Sequence, residues 1–437
     1  MTATFIAGRD EAFDNRKPSL AVHKLIYRTG SDSFLFDPSL GCLPGFVYDF
    51  AGWNVPGGAL PAQGQRLNIN DSANNRLFMM LDMVHGGDGR IGFDLPRLQG
   101  VATIGCVAAP GGSEHQLGAA TGSASVTLYR TQMPAHDHGL SGGGVTGATE
   151  GGERFSNLQP SLPLRLLINV GGPPPQSRTG GWGQVGNAVF LGQVAAYAGR
   201  FGLDPDGWVE AAGQRLKIAA NLALFNILKT TYGGDGHDSF ALPDLRGRAI
   251  VGASAEHPLG SVFGSEFTTL TVAQLPAHSH VLAPGDSKTA LAGAGQPVNI
   301  AQPSLALNYL IATNGMFPSP SDGGSPPMDD PYIGDIVAFA GDFAPPGWAF
   351  AHGQLMPIQT NQALYAVLGQ AYGGDGHTNF ALPDLCGRTP VGTGWIDRTE
   401  IRPGERFGAD SVRLTEANLP MHEHSLPDIR PVQARAS

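Results

Sequence analysis

The feature that most constrains this chain is that it repeats itself three times. The segments Pro18-Ser-Leu-Ala-Val-His-Lys-Leu-Ile-Tyr-Arg-Thr-Gly30, Pro160-Ser-Leu-Pro-Leu-Arg-Leu-Leu-Ile-Asn-Val-Gly-Gly172 and Pro303-Ser-Leu-Ala-Leu-Asn-Tyr-Leu-Ile-Ala-Thr-Asn-Gly315 align without gaps. Their starts, at residues 18, 160 and 303, set a period of 142 to 143 residues. Self-similarity at a fixed spacing means that one supersecondary unit is built several times, so whatever one copy folds into the others must fold into as well.

Each unit then runs through the same landmarks. An apolar strand closes on Ala-Gly (Phe50-Ala-Gly52, Tyr197-Ala-Gly199, Phe339-Ala-Gly341), and a Pro/Gly turn leads to Gly64-Gln65, Gly213-Gln214 or Gly353-Gln354. Two copies carry a tryptophan in that turn, Trp208 and Trp348, where the first has Ala59. Asn74, Asn221 or Asn361 opens a short helix, its side chain placed to accept from the first free backbone N–H groups. The spacing predicts a buried stripe of Leu77/Phe78/Leu81, Leu224/Phe225/Leu228 and Leu364/Tyr365/Leu368. Gly-Gly-Asp-Gly follows at 86–89, 233–236 and 373–376. It reads as a helix cap and tight turn and not as a ligand loop, because glycine supplies the left-handed cap and Asp-Gly the turn.

Each unit closes on a histidine pair: Gln132-Met-Pro-Ala-His136-Asp-His138, Gln274-Leu-Pro-Ala-His278-Ser-His280 and Asn418-Leu-Pro-Met-His422-Glu-His424. In an extended segment residues i and i+2 point to the same side, so both imidazoles of a pair face one point while Asp137, Ser279 or Glu423 faces away. Two nitrogens make a poor metal site, but three pairs around a three-fold axis supply six. The expectation is one octahedrally coordinated transition metal ion held by His136, His138, His278, His280, His422 and His424, iron first and zinc second, since zinc usually takes four ligands. Six protein ligands leave no position for water or substrate, so the site is structural and the chain is not expected to be an enzyme. The competing reading, a metallohydrolase with Asp137 or Glu423 as base, suffers from Ser279 standing where the other copies have acids. His237 and His377 follow two of the Gly-Gly-Asp-Gly turns; His23, His85, His115, His257 and His352 are read as solvated loop residues without a shared position.

Composition narrows the class. Glycine (62) and proline (34) are abundant and only 15% of the 437 residues are charged, which favours turns and strands over long amphipathic helices. The net charge of −10, with no basic run, argues against a nucleic-acid partner. Cys42, Cys106 and Cys386 are odd in number and far apart, so they read as free thiols. No stretch approaches the ~20 apolar residues of a membrane span, and the N-terminus has no signal-peptide pattern.

The expected fold is mainly β with short helices (α+β), three tandem units forming a single-chain pseudo-trimer. The landmarks divide the chain into an N-terminal arm (1–17), a strand segment (18–42), the body of repeat 1 (43–159), strand segment plus body of repeat 2 (160–302), and the same for repeat 3 (303–437). The third histidine pair has no strand after it, so segment 18–42 is expected to complete the third unit and close a ring. The Gly/Ala/Ser-rich stretches 139–152 and 281–296 read as loops or tethers, and 171–187 and 315–331 as connections.

The run Ile333-Gly-Asp-Ile-Val-Ala-Phe-Ala-Gly-Asp-Phe-Ala-Pro-Pro-Gly-Trp348, with Gly353-Gln354, Tyr372-Gly-Gly-Asp-Gly-His377 and Phe380-Ala-Leu-Pro-Asp-Leu385, resembles the phage tail-collar family and its bacterial relatives, the microcystin-dependent proteins. The likeness extends over nearly the whole chain three times, with Ala59 and Arg97 as departures in the first copy. The resemblance implies a trimeric fibre-tip module in which each of three chains gives one His-x-His to a metal on the axis. It further implies a structural and adhesive tip on a phage tail or extracellular phage-tail-like particle. Its partners would be other fibre or tail-tip subunits and a host cell-surface glycan or protein. A bacterial surface or filament-tip adhesin is the alternative within the same family.

Overall fold

The computed structural model describes residues 3–27, 44–106, 114–172, 174–175, 189–199, 207–282, 287–318, 331–396 and 399–426. Most of the two Pro/Gly connections, Cys42 and everything after residue 426 lie outside them.

The first unit contributes β1 (Ser19–Tyr27), β2 (Phe46–Phe50), β3 (Ala59–Pro61), α1 (Asn75–Leu81) and β4 (Ala102–Gly105). The second repeats the order with β5 (Ser161–Asn169), β6 (Gln193–Tyr197), β7 (Trp208–Glu210), α2 (Leu222–Leu228) and β8 (Ala249–Gly252). The third does so with β9 (Ser304–Ala312), β10 (Asp335–Phe339), β11 (Trp348–Phe350), α3 (Gln362–Leu368) and β12 (Thr389–Gly392). Among the described residues the chain is mainly β, its α-helices confined to these seven-residue segments, as composition indicates.

The Pro-Ser-Leu strands are apolar on both faces because both faces are covered; β5 and β9 are buried along their whole length. Each is divided between two units. β5 runs parallel to β4 from Ser161↔Ala102 to Leu164↔Gly105, then antiparallel to β6 from Arg165↔Tyr197 to Ile168↔Val194. β9 does the same with β8 and β10. β1, which has no unit before it in sequence, lies along β12 of the third unit from Ser19↔Thr389 to Val22↔Gly392 before pairing with β2. β1 thus serves the third and the first units together. Strands β2, β6 and β10 also pair with one another, through Ala196↔Val47, Val194↔Ala338 and Ile336↔Asp49. One core results, drawing Leu25, Ile168 and Ile311 from the three long strands.

Two local expectations change. The asparagines do precede the helices, but their amides donate backwards, Asn74 to Asn68 O, Asn221 to Lys217 O and Asn361 to Pro357 O, instead of capping. They fasten the helix start to the residues just before it. The helices end before the Gly-Gly-Asp-Gly turns, at Asp82, Lys229 and Gly369, all near φ 50°, ψ −137°. The turn aspartate instead gathers backbone N–H groups: Asp235 Oδ1 accepts from His237, Asp238 and Ser239. The leucines of the predicted stripe are buried, whereas Phe78, Phe225 and Tyr365 are half-buried and Ile227 and Val367 join the core. Cys106 is buried and Cys386 half-buried, both free; burial pushes the Cys106 thiol up to about 11.

Candidate metal centre

Each histidine pair is delivered by the same local device. A single 3-10 turn (Arg130–Gln132, Val272–Gln274, Glu416–Asn418) is closed by its last side chain, which accepts from the backbone N–H of Tyr129, Thr271 or Thr415. The next residues, Met133, Leu275 and Leu419, pack against each other as a small buried cluster. Proline then keeps the chain extended, so alternation sends both histidines inward. All six are buried, at 1–5% exposure, while Asp137 and Glu423 are exposed and Ser279 is half-buried.

The six rings form two tiers. His136, His278 and His422 lie 5.1–5.2 Å apart between centroids, and His138, His280 and His424 4.7–4.8 Å. Between tiers, each ring meets its own partner at 5.4–5.6 Å and one from the neighbouring pair at 4.7–4.9 Å. Every ring therefore faces all the others except one, and the opposed rings are His136/His280, His278/His424 and His422/His138. That is the connectivity of an octahedron. The ring nitrogens of His136, His138, His278 and His422 all fall within 4.8 Å of one another, as do those of His138, His280, His422 and His424.

Hydrogen bonding fixes which nitrogen faces the centre. Nδ1 of His136, His278 and His422 sits 2.9–3.0 Å from the carbonyl of Pro134, Pro276 and Pro420. Nδ1 of His138, His280 and His424 sits 2.8–2.9 Å from the carbonyl of Ala290, Phe5 and Gly147. A carbonyl only accepts, so in each neutral ring the proton is on Nδ1 and Nε2 presents a bare lone pair. The Nε2 atoms of His136 and His278, and of His278 and His422, are 3.2 Å apart. Two acceptors at that distance cannot hydrogen-bond to each other. Nε2 of His138, His280 and His424 is buried with no partner at all. Protonation does not relieve the crowding, because burial, reinforced by the neighbouring rings, holds His136, His278 and His424 at about 4 and His422 at about 3, and lowers His280. Buried converging lone pairs of this kind could hold a metal ion, which would satisfy them together.

Sequence reasoning missed the outer layer of this site. Parts of the stretches expected to be tethers run back antiparallel beside the histidines: Thr146 N donates to His138 O and Thr149 N to His136 O, and Thr289 and Ala292 repeat this for His280 and His278. The hydroxyls of Thr146 and Thr289 accept from the backbone N–H of His138 and His280. A Thr eight residues after His138 and another nine after His280 were the available signal. The remaining histidines are more structured than a solvated reading allows. His85 binds Ala198 O at 2.9 Å, His23 Nδ1 shares a hydrogen bond with the Thr393 hydroxyl at 2.7 Å, and His115 is buried. His115 and His257 moreover stand at equivalent positions, three residues before Gly118 and Gly260, whose N–H groups donate to Pro163 O and Ala306 O of the long strands. His257 forms a surface group with Glu256 and Asp410, only half-buried. His237 and His377 are exposed, as expected.

A β-rich chain of three like units, each ending in a buried histidine pair, is the class these observations define. The phage tail collar domain matches it three times, over residues 45–103, 192–250 and 334–390, so the chain carries three tandem copies of that domain. The first copy matches despite Ala59 and Arg97, and the matched stretches end before the histidine pairs. No curated relative and no solved structure matches the chain.

Proposed function

We propose that the three collar copies form a pseudo-trimer around a three-fold axis, stapled at one end by a single six-coordinate transition metal ion, and that the chain is a structural and adhesive tip of a phage tail or phage-tail-like particle. The collar domain itself supports the coarser part, a structural role in a phage tail fibre. The observation that carries the finer part is the octahedron of lone pairs. Edges of 3.2 Å place its vertices ~2.3 Å from the centre, close to the ~2.0–2.1 Å bonds between first-row ions and imidazole. His136, His138, His278, His280, His422 and His424 are the ligands in this reading, iron ahead of zinc because zinc usually takes four donors.

With six imidazoles around it, the ion has no open position, and Asp137 and Glu423 face outward, away from any role as base. The chain is accordingly read as non-catalytic. The metal's binding free energy then goes into stability, tying three units at one point. The cyclic pairing of β2, β6 and β10, and the long strands each divided between two units, support the same arrangement, with β1 joining the third unit to the first. Among the described residues no helix is long and apolar enough to cross a membrane. The proposed partners are further fibre or tail-tip subunits and a glycan or protein on the host surface.

Elemental analysis of the purified chain tests the staple: one iron or zinc per chain is expected, and none, or three, would overturn it. Binding of labelled chain to intact host cells, competed by unlabelled chain, tests the adhesive role; particles that bind equally well without the chain would refute it.

A further inference from the structure

The N-terminal residues of this sequence hold a place in the histidine centre that the repeat would assign to residues after position 424. In the first unit the strand following the pair supplies three things: Thr146 N–H to His138 O, the Thr146 hydroxyl to His138 N–H, and Thr149 N–H to His136 O. In the second, Thr289 and Ala292 do the same for His280 and His278. In the third, those groups come from the other end of the chain. Thr4 N donates to His424 O at 2.9 Å, the Thr4 hydroxyl accepts from His424 N at 2.9 Å, and Ala7 N donates to His422 O at 3.0 Å. Ala3 pairs with Ser425, and Gly8 sits against the carbonyls of Leu419 and Pro420 just as Gly293 sits against those of Leu275 and Pro276. Both glycines have φ near 90°, a conformation that only glycine adopts without strain.

The same strand reaches a second unit. Ala290 O holds Nδ1 of His138, Gly147 O holds Nδ1 of His424, and Phe5 O holds Nδ1 of His280. Phe5 N completes the contact by donating to Val281 O, as Ala290 N does to Gly139 O and Gly147 N to Ser425 O. Each outer histidine is thus oriented by the strand belonging to the next pair, in a closed cycle. Residues 3–7 are one link of it.

We infer that residues 3–8 are a latch for the metal centre: they orient His280 through the Phe5 carbonyl and His424 through Thr4, so that ion binding and closure of the ring between the first and third units are one linked event. This rests on the metal reading given above. Thr4 and Phe5 are positioning residues, since they act through the histidines and offer the ion no donor of their own. Without them, Pro134 O, Pro276 O, Pro420 O, Ala290 O and Gly147 O still fix five rings, but His280 loses its Nδ1 acceptor and the His424 backbone loses its anchor.

The test compares the full chain, a variant lacking residues 2–8, Thr4→Val, Thr4→Ser, and a permutant. In the permutant Leu426 is joined to Thr2 by a turn like that at 141–144 and new ends are opened between Gly142 and Gly143, where an added side chain would meet nothing. Competition with a chelator gives the affinity for iron or zinc. Outer hydrogen bonds to metal-bound histidine are worth about 10- to 100-fold in metal affinity. The deletion is expected to weaken binding at least about 10-fold, Thr4→Val to weaken it while Thr4→Ser does not, and the permutant to match the full chain. A deletion variant or permutant that departs from this order while remaining folded overturns the latch. If the full chain holds no metal, the metal reading fails instead, and the latch is judged by amide exchange: protected Thr4 and Ala7 amides support it, and amides exchanging as in an unfolded peptide overturn it.

Discussion

The core contains one ion pair that its sister units do without, and it makes the sharpest test of the packing. Lys24 Nζ lies 2.6 Å from Asp49 Oδ1, with side-chain exposures of 4% and 15%. The two face each other across the β1–β2 ladder, and the same rung is Leu166↔Ala196 in the second unit and Tyr309↔Ala338 in the third. All six line a central cavity of about 30 Å³. Burial raises the Asp49 carboxyl, and Lys24 beside it pulls part of that rise back. Lys24→Leu leaves that carboxylate alone in an apolar setting and should cost about 3–5 kcal/mol. Adding Asp49→Ala copies the second unit's rung, which is already compatible with this cavity, and replacing a buried pair by apolar residues is commonly neutral or stabilising by about 1–4 kcal/mol. Urea unfolding of the two variants, followed by circular dichroism at fixed metal saturation, reads both numbers. A single variant losing less than ~1 kcal/mol, or a double variant no more stable than the single, would show that the pair is not the buried, mutually dependent element described.

Three further outcomes follow from particular residues. The buried histidines have native values of about 3 to 4 against 6.5 in the unfolded chain, so folded and unfolded forms bind protons equally above 6.5; as pH falls from there toward 4 the unfolded chain takes up protons that the folded one refuses, and stability must drop. Melting temperatures of metal-free protein between pH 7.5 and 4.5 should show it, and a flat profile would contradict the burial. Asp335 is the opposite case: burial raises it from 3.8 to about 7, so its contribution is intact below pH 4 and lost as pH rises to 7. Asp335→Asn should gain on the native chain over that window by up to ~4 kcal/mol, and a pH-independent difference between the two in urea unfolding would refute this. Lys229 ends α2 at φ 50°, ψ −137°, where the third unit has Gly369. Lys229→Gly should raise stability by about 1 kcal/mol, checked by thermal melting; a loss would mean that the backbone there is unstrained.

Much of the site was legible because its geometry is local. His-x-His after a proline is extended, and extension alone puts both rings on one side; threefold recurrence at one period is enough to suggest that the pairs meet. The strands, the helix positions and the buried leucines were readable for the same reason, since apolar spacing and turn residues act over a few positions. The helix asparagines were misjudged because carbonyls four to six residues back, Asn68 O, Lys217 O and Pro357 O, compete for the same side chains.

What the sequence determined by itself was therefore the repeat, the β-rich class and the six inward-facing histidines. Only the tertiary structure decided that each long strand divides itself between two units, and that Thr4 and Phe5 stand in for residues expected beyond His424. The physical reason is the same in each case. These contacts join residues far apart in sequence, up to 420 positions for His424 and Thr4, and a backbone carbonyl such as Phe5 O leaves no trace in the identity of the side chain attached to it.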